Sequence, residues 1–317
     1  MYESRTMSLS IVIPCRNEAG NVKWILNQIS EQTSHLRLNI EIIFVDDYSE
    51  DETWHEISKA VAARPQKRLT VRGVRLGVKS GQQMAIANGY SFASGEYVLS
   101  MDADGQHPAK YISEFWNMRS KDRPVIGVQR NRKSSIFYSL LSRMFYRLFR
   151  ILSSMKIIES GGDFRLVTKE LAKFISNRAS SSMVIRFLIA EKGLRVNTVT
   201  FDAESRHSGS AAYSKRDRIK LLIDSFFHSY KITIGLSGKL FILSTLILIS
   251  IASYSIITYL LGDTVPGWAS TILVIGFLGS MNLAILGMIA RVVSVIFDNM
   301  VVSQGTFVIE NIGFEAS

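Results

Sequence analysis

The chain has 317 residues, with 37 Lys and Arg against 27 Asp and Glu, for a formal net charge of +10. That length holds one large domain or two small ones, and the basic excess points to nucleic acid, an anionic membrane surface or a phosphorylated substrate. The single cysteine, Cys15, excludes an intramolecular disulfide and a cysteine-based zinc site, and it fits a reducing compartment.

No apolar run near the N-terminus is long enough for a cleaved signal, and a strand-like segment follows almost at once. In chain order, strands are expected at "LSIVIP" (Leu9–Pro14), "IEIIFVDD" (Ile40–Asp47), "LTVRGV" (Leu69–Val74), "EYVLSMD" (Glu96–Asp102) and "PVIGV" (Pro124–Val128). Helical patterns fall between them at Asn21–Gln32, Glu52–Ala63, Ser80–Ala93 and Pro108–Arg119. This alternation predicts an α/β fold, a mostly parallel sheet with helices on both faces. A further strand is expected at "LRVNTVTF" (Leu194–Phe201).

Ligands of such sheets bind at the carboxyl ends of the strands. The polar clusters lie there: "CRNE" after the first strand, "DDYSEDET" after the second and "DADGQH" after the fourth. Asp102 and Asp104, one residue apart, repel each other unless something positive sits between them. They offer hard oxygen ligands to Mg²⁺ or Mn²⁺, which take one or two carboxylates and complete their shell with substrate phosphates. His107 precedes Pro108 at a helix start, a setting that favours a structural role over metal ligation. The sequence has no G-x-G-x-x-G after the first strand and no G-x-x-x-x-G-K-[ST], which argues against dinucleotide oxidoreductases and P-loop ATPases.

The C-terminal third changes character. "GKLFILSTLILISIASYSIITYLLG" (Gly238–Gly262) has one charge, Lys239, and "WASTILVIGFLGSMNLAILGMIA" (Trp268–Ala290) has none. Each exceeds the roughly 20 residues that span a bilayer core. Lys231, Lys239 and Arg291 flank the pair while the connector "DTVPG" has no Lys or Arg, so both ends are expected in the cytoplasm. Upstream, "SSIFYSLLSRMFYRLFRILSSMK" (Ser134–Lys156) repeats Arg143, Arg147 and Arg150 among apolar residues, as a basic interfacial helix would. "KRDRIKLLIDSFFHSYK" (Lys215–Lys231) is a second such segment. These helices account for the basic charge at a lipid surface. No nucleic-acid recognition module is apparent, so nucleic acid is not expected. The expected organisation is a catalytic domain over 1–214, a juxtamembrane helix over 215–235, a membrane hairpin over 236–297 and a tail over 298–317.

"IVIPCRNE", "IIFVDDYSEDET", "MDADGQHP", "GGDFRL" and "RHSGSAAY", followed by two apolar spans, resemble the polyprenyl-phosphate glycosyltransferases. These belong to the inverting glycosyltransferase family two, with the Rossmann-like GT-A fold, and include the dolichol-phosphate mannosyltransferases and undecaprenyl-phosphate sugar transferases. The resemblance implies transfer of a sugar from a nucleotide sugar to a polyprenyl phosphate at the cytoplasmic face of the cell membrane. By the same resemblance Pro14, Asn17, Glu18 and Asp47 bind the nucleotide. Asp102 and Asp104 hold metal and diphosphate, and Gln106 accompanies them. Asp163 and Arg165 lie near sugar and acceptor, Arg132 pairs with phosphate, and Arg206 and Tyr213 sit on a loop that closes over both phosphates. Asp104, Asp163 and Arg206 are the expected catalytic residues.

Four positions depart from the family pattern. Tyr48 stands for a Gly, Gly105 for a Leu, Gln129 for an Arg and Ala211 for a Ser. None removes a metal carboxylate. Two spans form no flipping pathway by themselves, so a separate flippase is expected, and a homo-oligomer would pack the small span pair. The competing readings are a catalytically weak or silent scaffold for such a flippase and a processive polysaccharide synthase. The synthases carry Q-x-x-R-W, which this sequence lacks.

Overall fold

The computed structural model describes residues 8–63, 68–130, 161–179, 185–208, 230–262, 267–301 and 307–314. Arg132, Ala211, Tyr213, the segment 134–156 and most of the segment 215–235 lie outside the described residues.

Eight strands form one sheet: β1 (Ser8–Cys15), β2 (Asn39–Asp46), β3 (Leu69–Leu76), β4 (Tyr97–Ser100), β5 (Val125–Gln129), β6 (Gly161–Thr168), β7 (Asn197–Phe201) and β8 (Val308–Ile312), in the order β7-β5-β6-β4-β1-β2-β3-β8. β1 pairs in parallel with β2 and β4, β2 with β3, and β5 with β7. The exceptions are β6, antiparallel between β4 and β5, and β8, antiparallel on β3. The described helices of this unit are α1 (Ala19–Thr33), α2 (Thr53–Ala62), α3 (Gln82–Phe92), α4 (Ile112–Asn117), α5 (Lys169–Arg178) and α6 (Ile185–Glu191).

The strands alternate between two cores, as a sheet covered on both faces must. Leu9, Ile11 and Ile13 of β1 and Ile40, Ile42 and Phe44 of β2 pack with Val22, Ile25 and Ile29 of α1 and Ile57 of α2. Val12 of β1 and Ile43 and Val45 of β2 point the other way, onto Ala85, Ile86 and Tyr90 of α3 and Ile175 of α5. β1 and β2 are thus largely apolar on both faces, the composition of buried parallel strands. The expected strands and helices form within a few residues of their expected bounds. The helix expected at Pro108–Arg119 is instead a 3₁₀ turn, Ala109–Tyr111, followed by the short α4.

Beyond the sheet, α7 (Tyr230–Leu260) and α8 (Trp268–Val301) pack against each other. Within them Ile242–Leu260 and Thr271–Ala290 are long and apolar enough to cross a membrane, and they are almost wholly unburied. Large apolar side chains such as Leu260, Ile275 and Met288 stand exposed along them. Within the tail expected over 298–317, Val308–Ile312 joins the sheet as β8, where Ile312 lies opposite Gly73 and Glu310 opposite Arg75. Five residues of modest apolarity make a weak strand signal without the waiting edge of β3.

Candidate active site

Parallel pairing brings the carboxyl ends of β1, β2 and β4 to one edge of the sheet. Because β6 runs antiparallel, with Arg165 opposite Ser100, its beginning falls at that same edge. The loops after β1, β2 and β4 and the start of β6 therefore meet.

The first two loops are sewn together. Asn17 adopts φ 54°. Its backbone N–H donates to Ser49 Oγ at 3.0 Å, and its Oδ1 accepts from the Glu50 N–H at 2.9 Å. The Glu18 N–H donates to Thr53 Oγ1 at 2.8 Å, and Arg16 Nη1 donates to the carbonyls of Asp47 (2.7 Å) and Tyr48 (3.0 Å). Pro14 lies in β1 opposite Val45. Asp47 is buried and accepts the backbone N–H groups of Ser80 (2.6 Å) and Gly81 (2.8 Å). The structure thus places Asn17 and Asp47 first as braces of the strand-end surface.

The D-x-D follows β4. Asp102 accepts from Gln82 Nε2 at 2.6 Å, and its backbone N–H donates to His107 Nδ1 at 3.0 Å. A ring nitrogen that accepts an N–H carries no proton, so the 3.3 Å approach of Nδ1 to Asp102 Oδ2 is no ion pair. Burial lowers the His107 pKa to about 4, against the pull of Asp163 and Asp104. Its ring stacks on Phe164, 5.0 Å between centroids. His107 is a structural support of the turn. Asp104 accepts the Gln106 N–H at 3.0 Å and the Arg206 guanidinium, whose Nε lies 3.0 Å from Oδ2.

At the start of β6, Asp163 accepts from Gln83 Nε2 at 2.8 Å and pairs with Arg165. Its carbonyl accepts the Ser100 hydroxyl at 2.6 Å. Burial pushes the Asp163 carboxyl up, but Arg165, the Gln83 hydrogen bond and Arg186 outweigh it and hold the pKa below its usual value. Arg165, expected near sugar and acceptor, has only 1% of its surface exposed, and its guanidinium pairs with Asp163. Its charge anchors Asp163.

The loop after β7 covers this edge. The His207 N–H donates to the Asp104 carbonyl at 3.0 Å. The His207 ring stacks on Trp24 of α1, with centroids 4.5 Å apart and 7° between planes. Asn21 Nδ2 donates to the Ser208 carbonyl at 3.2 Å. Arg206 is thereby delivered to Asp104 while keeping 28% of its side chain exposed.

Two departures from the family pattern gain a physical account. Gly105 has φ 86°, and a Cβ there would lie 2.5 Å from Trp24 Cη2, so neither the backbone nor the space admits leucine. Tyr48 has φ 60°, a left-handed conformation for which glycine is the usual residue, and its side chain is exposed. Nothing in the structure explains Gln129, at the end of β5.

Glu18, Asp102, Asp104 and Asp163 thus lie at one edge of the sheet, near enough to feel one another's charge. Burial raises the Asp102 pKa well above its usual value, and the charges of Asp163 and Asp104 add to it. Burial also raises Glu18, with Asp104 and Asp102 adding against the Asn21 hydrogen bond and Arg206. Such mutual repulsion fits a divalent cation. Among the described residues no three His, Cys, Asp or Glu side chains converge on one point. Asp102 and Asp104 with oxygens from a diphosphate and water are the donor set that Mg²⁺ or Mn²⁺ accepts. Gln82 and Gln83, which hold two of the carboxylates, were not picked out from the sequence. The pair "QQ" at the start of a helix carries no motif signal, and its role appears only when α3 is placed beside β4 and β6.

The family model described as "Glycosyl transferase family 2" matches residues 10–193. The uncharacterized glycosyltransferase sll0501 of Synechocystis sp. is 28% identical over 298 residues, covering 93% of this chain and 92% of that one. The undecaprenyl-phosphate 4-deoxy-4-formamido-L-arabinose transferase of Yersinia enterocolitica is 27% identical over 226 residues, covering 71% of this chain and 68% of that one. Among solved structures, mannosyl-3-phosphoglycerate synthase from Rubrobacter xylanophilus superposes with a TM-score of 0.49 at 19% identity, over 74% of each chain. The family match covers more than half of the chain and includes the strand-end loops with Asp47, Asp102 and Asp104; the chain is a glycosyltransferase and belongs to glycosyl transferase family 2.

Proposed function

We propose that the protein transfers a sugar from a nucleotide sugar to a polyprenyl phosphate at the cytoplasmic face of a membrane. The observation that carries this reading is the 3.0 Å contact between Arg206 and Asp104. It joins the diphosphate-binding D-x-D to the loop from which the chain proceeds to two apolar helices. The undecaprenyl-phosphate transferase relative supports the acceptor class.

In the reaction a phosphate oxygen of the acceptor attacks the anomeric carbon from the face opposite the nucleotide. The bond between that carbon and the diphosphate oxygen breaks, and the nucleoside diphosphate departs with the electron pair. A phosphate monoester is already ionised near neutral pH, so the protein needs no strong base. Its work is positioning and charge neutralisation. Asp102 and Asp104 would hold the divalent cation, which supplies Lewis-acid stabilisation of the leaving diphosphate. Arg206 would exchange Asp104 for a phosphate oxygen when substrates enter, as a guanidinium does well. Asp163, kept ionised by Arg165 and Gln83, would orient a sugar hydroxyl. Glu18, Asn17 and Asp47 would shape the nucleotide pocket.

The strand β8 supports the hairpin topology without appeal to charge. A strand paired with β3 lies on the same side of a bilayer as the rest of the sheet, so the apolar helices between them cross an even number of times. The basic flanks support the cytoplasm as that side. This supports a multi-pass protein with both ends inside; a separate flippase would carry its lipid-linked product across the bilayer.

The test uses the full chain in detergent with undecaprenyl phosphate and a panel of labelled nucleotide sugars. At least one donor should yield lipid-linked sugar. EDTA, Asp102→Asn and Asp104→Asn should each lower the rate by at least 10²-fold, about 2.7 kcal/mol of barrier. Full turnover in EDTA would remove the metal, and transfer only to soluble acceptors would remove the lipid.

A further inference from the structure

The C-terminal strand touches the catalytic unit on the loop that leads into α3 and on the last residue of that helix. On the loop, the Gly77 N–H donates to the Phe307 carbonyl at 2.7 Å, and the Phe307 ring lies beside Gly77, five residues ahead of Gln82. A Cβ on Gly77 would come within 2.9 Å of Phe307 Cε1 and closer still to Cδ1, so the close approach requires glycine. At the trailing end, Phe314 packs on Phe92, the last residue of α3, with ring centroids 5.2 Å apart. Phe314 also lies under the Arg72 guanidinium at 4.7 Å. Between these grips β8 pairs with β3 from Leu76 to Gly73.

Helix α3 carries the residues that fix two site carboxylates. Gln82, its first residue, holds Asp102, and Gln83 holds Asp163 while its Oε1 accepts the Ile185 N–H at 3.0 Å. The intervening loop is tied to the nucleotide side of the site through Asp47, on Ser80 and Gly81. A displacement of Gly77 therefore moves amides bound by Asp47 and, a few residues on, the amides and side chains that set Asp102 and Asp163.

We propose that Phe307–Phe314 is a positioning element of the donor site. It grips the loop leading into α3 at Gly77 and the helix's last residue, Phe92, and it is joined to α8 by only the five residues 302–306. Six Cα steps reach at most about 21 Å, so Phe307 stays within that distance of the end of α8. The geometry of the D-x-D is thus tied to the membrane hairpin through the edge strand that follows it. The role of the clamped site as a donor site rests on the function proposed above.

The experiment uses the full chain in nanodiscs and two readouts, backbone hydrogen exchange and transfer with the best donor of the panel. Phe307→Ala should speed exchange at residues 77–83 by 10-fold or more while the amides of β1 keep their protection. It should lower kcat about 10-fold. Ile29→Val, a truncation in α1 on the opposite face of the sheet, shows what destabilisation alone does to both readouts. Gly77→Ala should reproduce the effect of Phe307→Ala. The double variant, in which the new methyl fills the space left by the ring, should recover at least half of the lost protection. Exchange at 77–83 that matches wild type, or that rises no more than in Ile29→Val, overturns the proposal, as does a double variant worse than either parent. If wild type turns over no donor, the functional reading fails, while the exchange pattern still decides whether the strand holds α3.

Discussion

Replacing Gly105 by alanine tests the packing that delivers Arg206 to Asp104. The backbone there is left-handed, at φ 86°, which costs an L-residue about 1–2 kcal/mol. Restricting the unfolded chain returns roughly 0.5–1 kcal/mol of that. The new Cβ would lie 2.5 Å from Trp24 Cη2 and 2.9 Å from Cζ3, an overpacking worth about 1–3 kcal/mol. The ring has little freedom to move aside, because its face is stacked on His207 at 4.5 Å. If Trp24 holds its place, the loss is about 2–4 kcal/mol of stability. At roughly 2–4 °C per kcal/mol for a domain of this size, the apparent melting temperature falls by about 4–16 °C. If Trp24 shifts instead, the stack is lost, the His207 hydrogen bond to Asp104 loosens, and transfer falls about 10-fold as Arg206 leaves its position. Melting followed by tryptophan fluorescence, with steady-state transfer rates, separates the two. Trp24→Phe removes the crowding half of the indole, so Gly105→Ala with Trp24→Phe should regain more than half of the loss. Gly105→Ala with wild-type melting and turnover, or a double variant showing only the sum of the single losses, would refute the reasoning.

Tyr48→Gly should raise the melting temperature, because relief of the left-handed penalty exceeds the entropy that glycine adds to the unfolded chain; thermal melting checks it, and an unchanged or lower value counts against strain at this position. Arg206→Ala should lower turnover by roughly 10²-fold and Arg206→Lys should restore only part, since an ammonium lacks the planar fork; rates at matched detergent and lipid test this, and wild-type turnover in the alanine variant ends the phosphate role. His107 is neutral in the fold down to pH about 4, whereas the unfolded chain takes up a proton near 6.5. Acidification through that window therefore favours unfolding, by up to roughly 3 kcal/mol from this group. The raised carboxylates Asp102 and Glu18 oppose it, being protonated earlier in the fold than in the unfolded chain. Denaturation of wild type and His107→Gln from pH 7 to 4 isolates the histidine: the stability difference between them should narrow as pH falls, and a constant difference contradicts a neutral ring.

Much of the architecture is written locally. The apolar runs Leu9–Pro14 and Ile40–Asp47, bounded by polar clusters and separated by helical periodicity, suffice to predict a parallel sheet and the edge at which its loops gather. Asp102 and Asp104 announce themselves because two adjacent charges at a strand end are costly without a partner. The long uncharged runs of the C-terminal third are legible for the same reason, since length and apolarity need no context. Tertiary structure decided the remainder. Antiparallel β6 brings Asp163 to Asp102 and turns Arg165 inward, and a strand direction depends on pairing partners that may lie anywhere in the chain. The duties of Gln82 and Gln83 depend on where α3 is docked, not on their neighbours in sequence. The need for glycine at Gly105 comes from Trp24, 81 positions away by number, and from a backbone angle that sequence does not display. Strand β8 is the extreme case: a few residues beyond the apolar helices have little strand propensity to show, and only the open edge of β3, with glycines at 73 and 77 leaving room for Ile312 and Phe307, makes them part of the catalytic sheet.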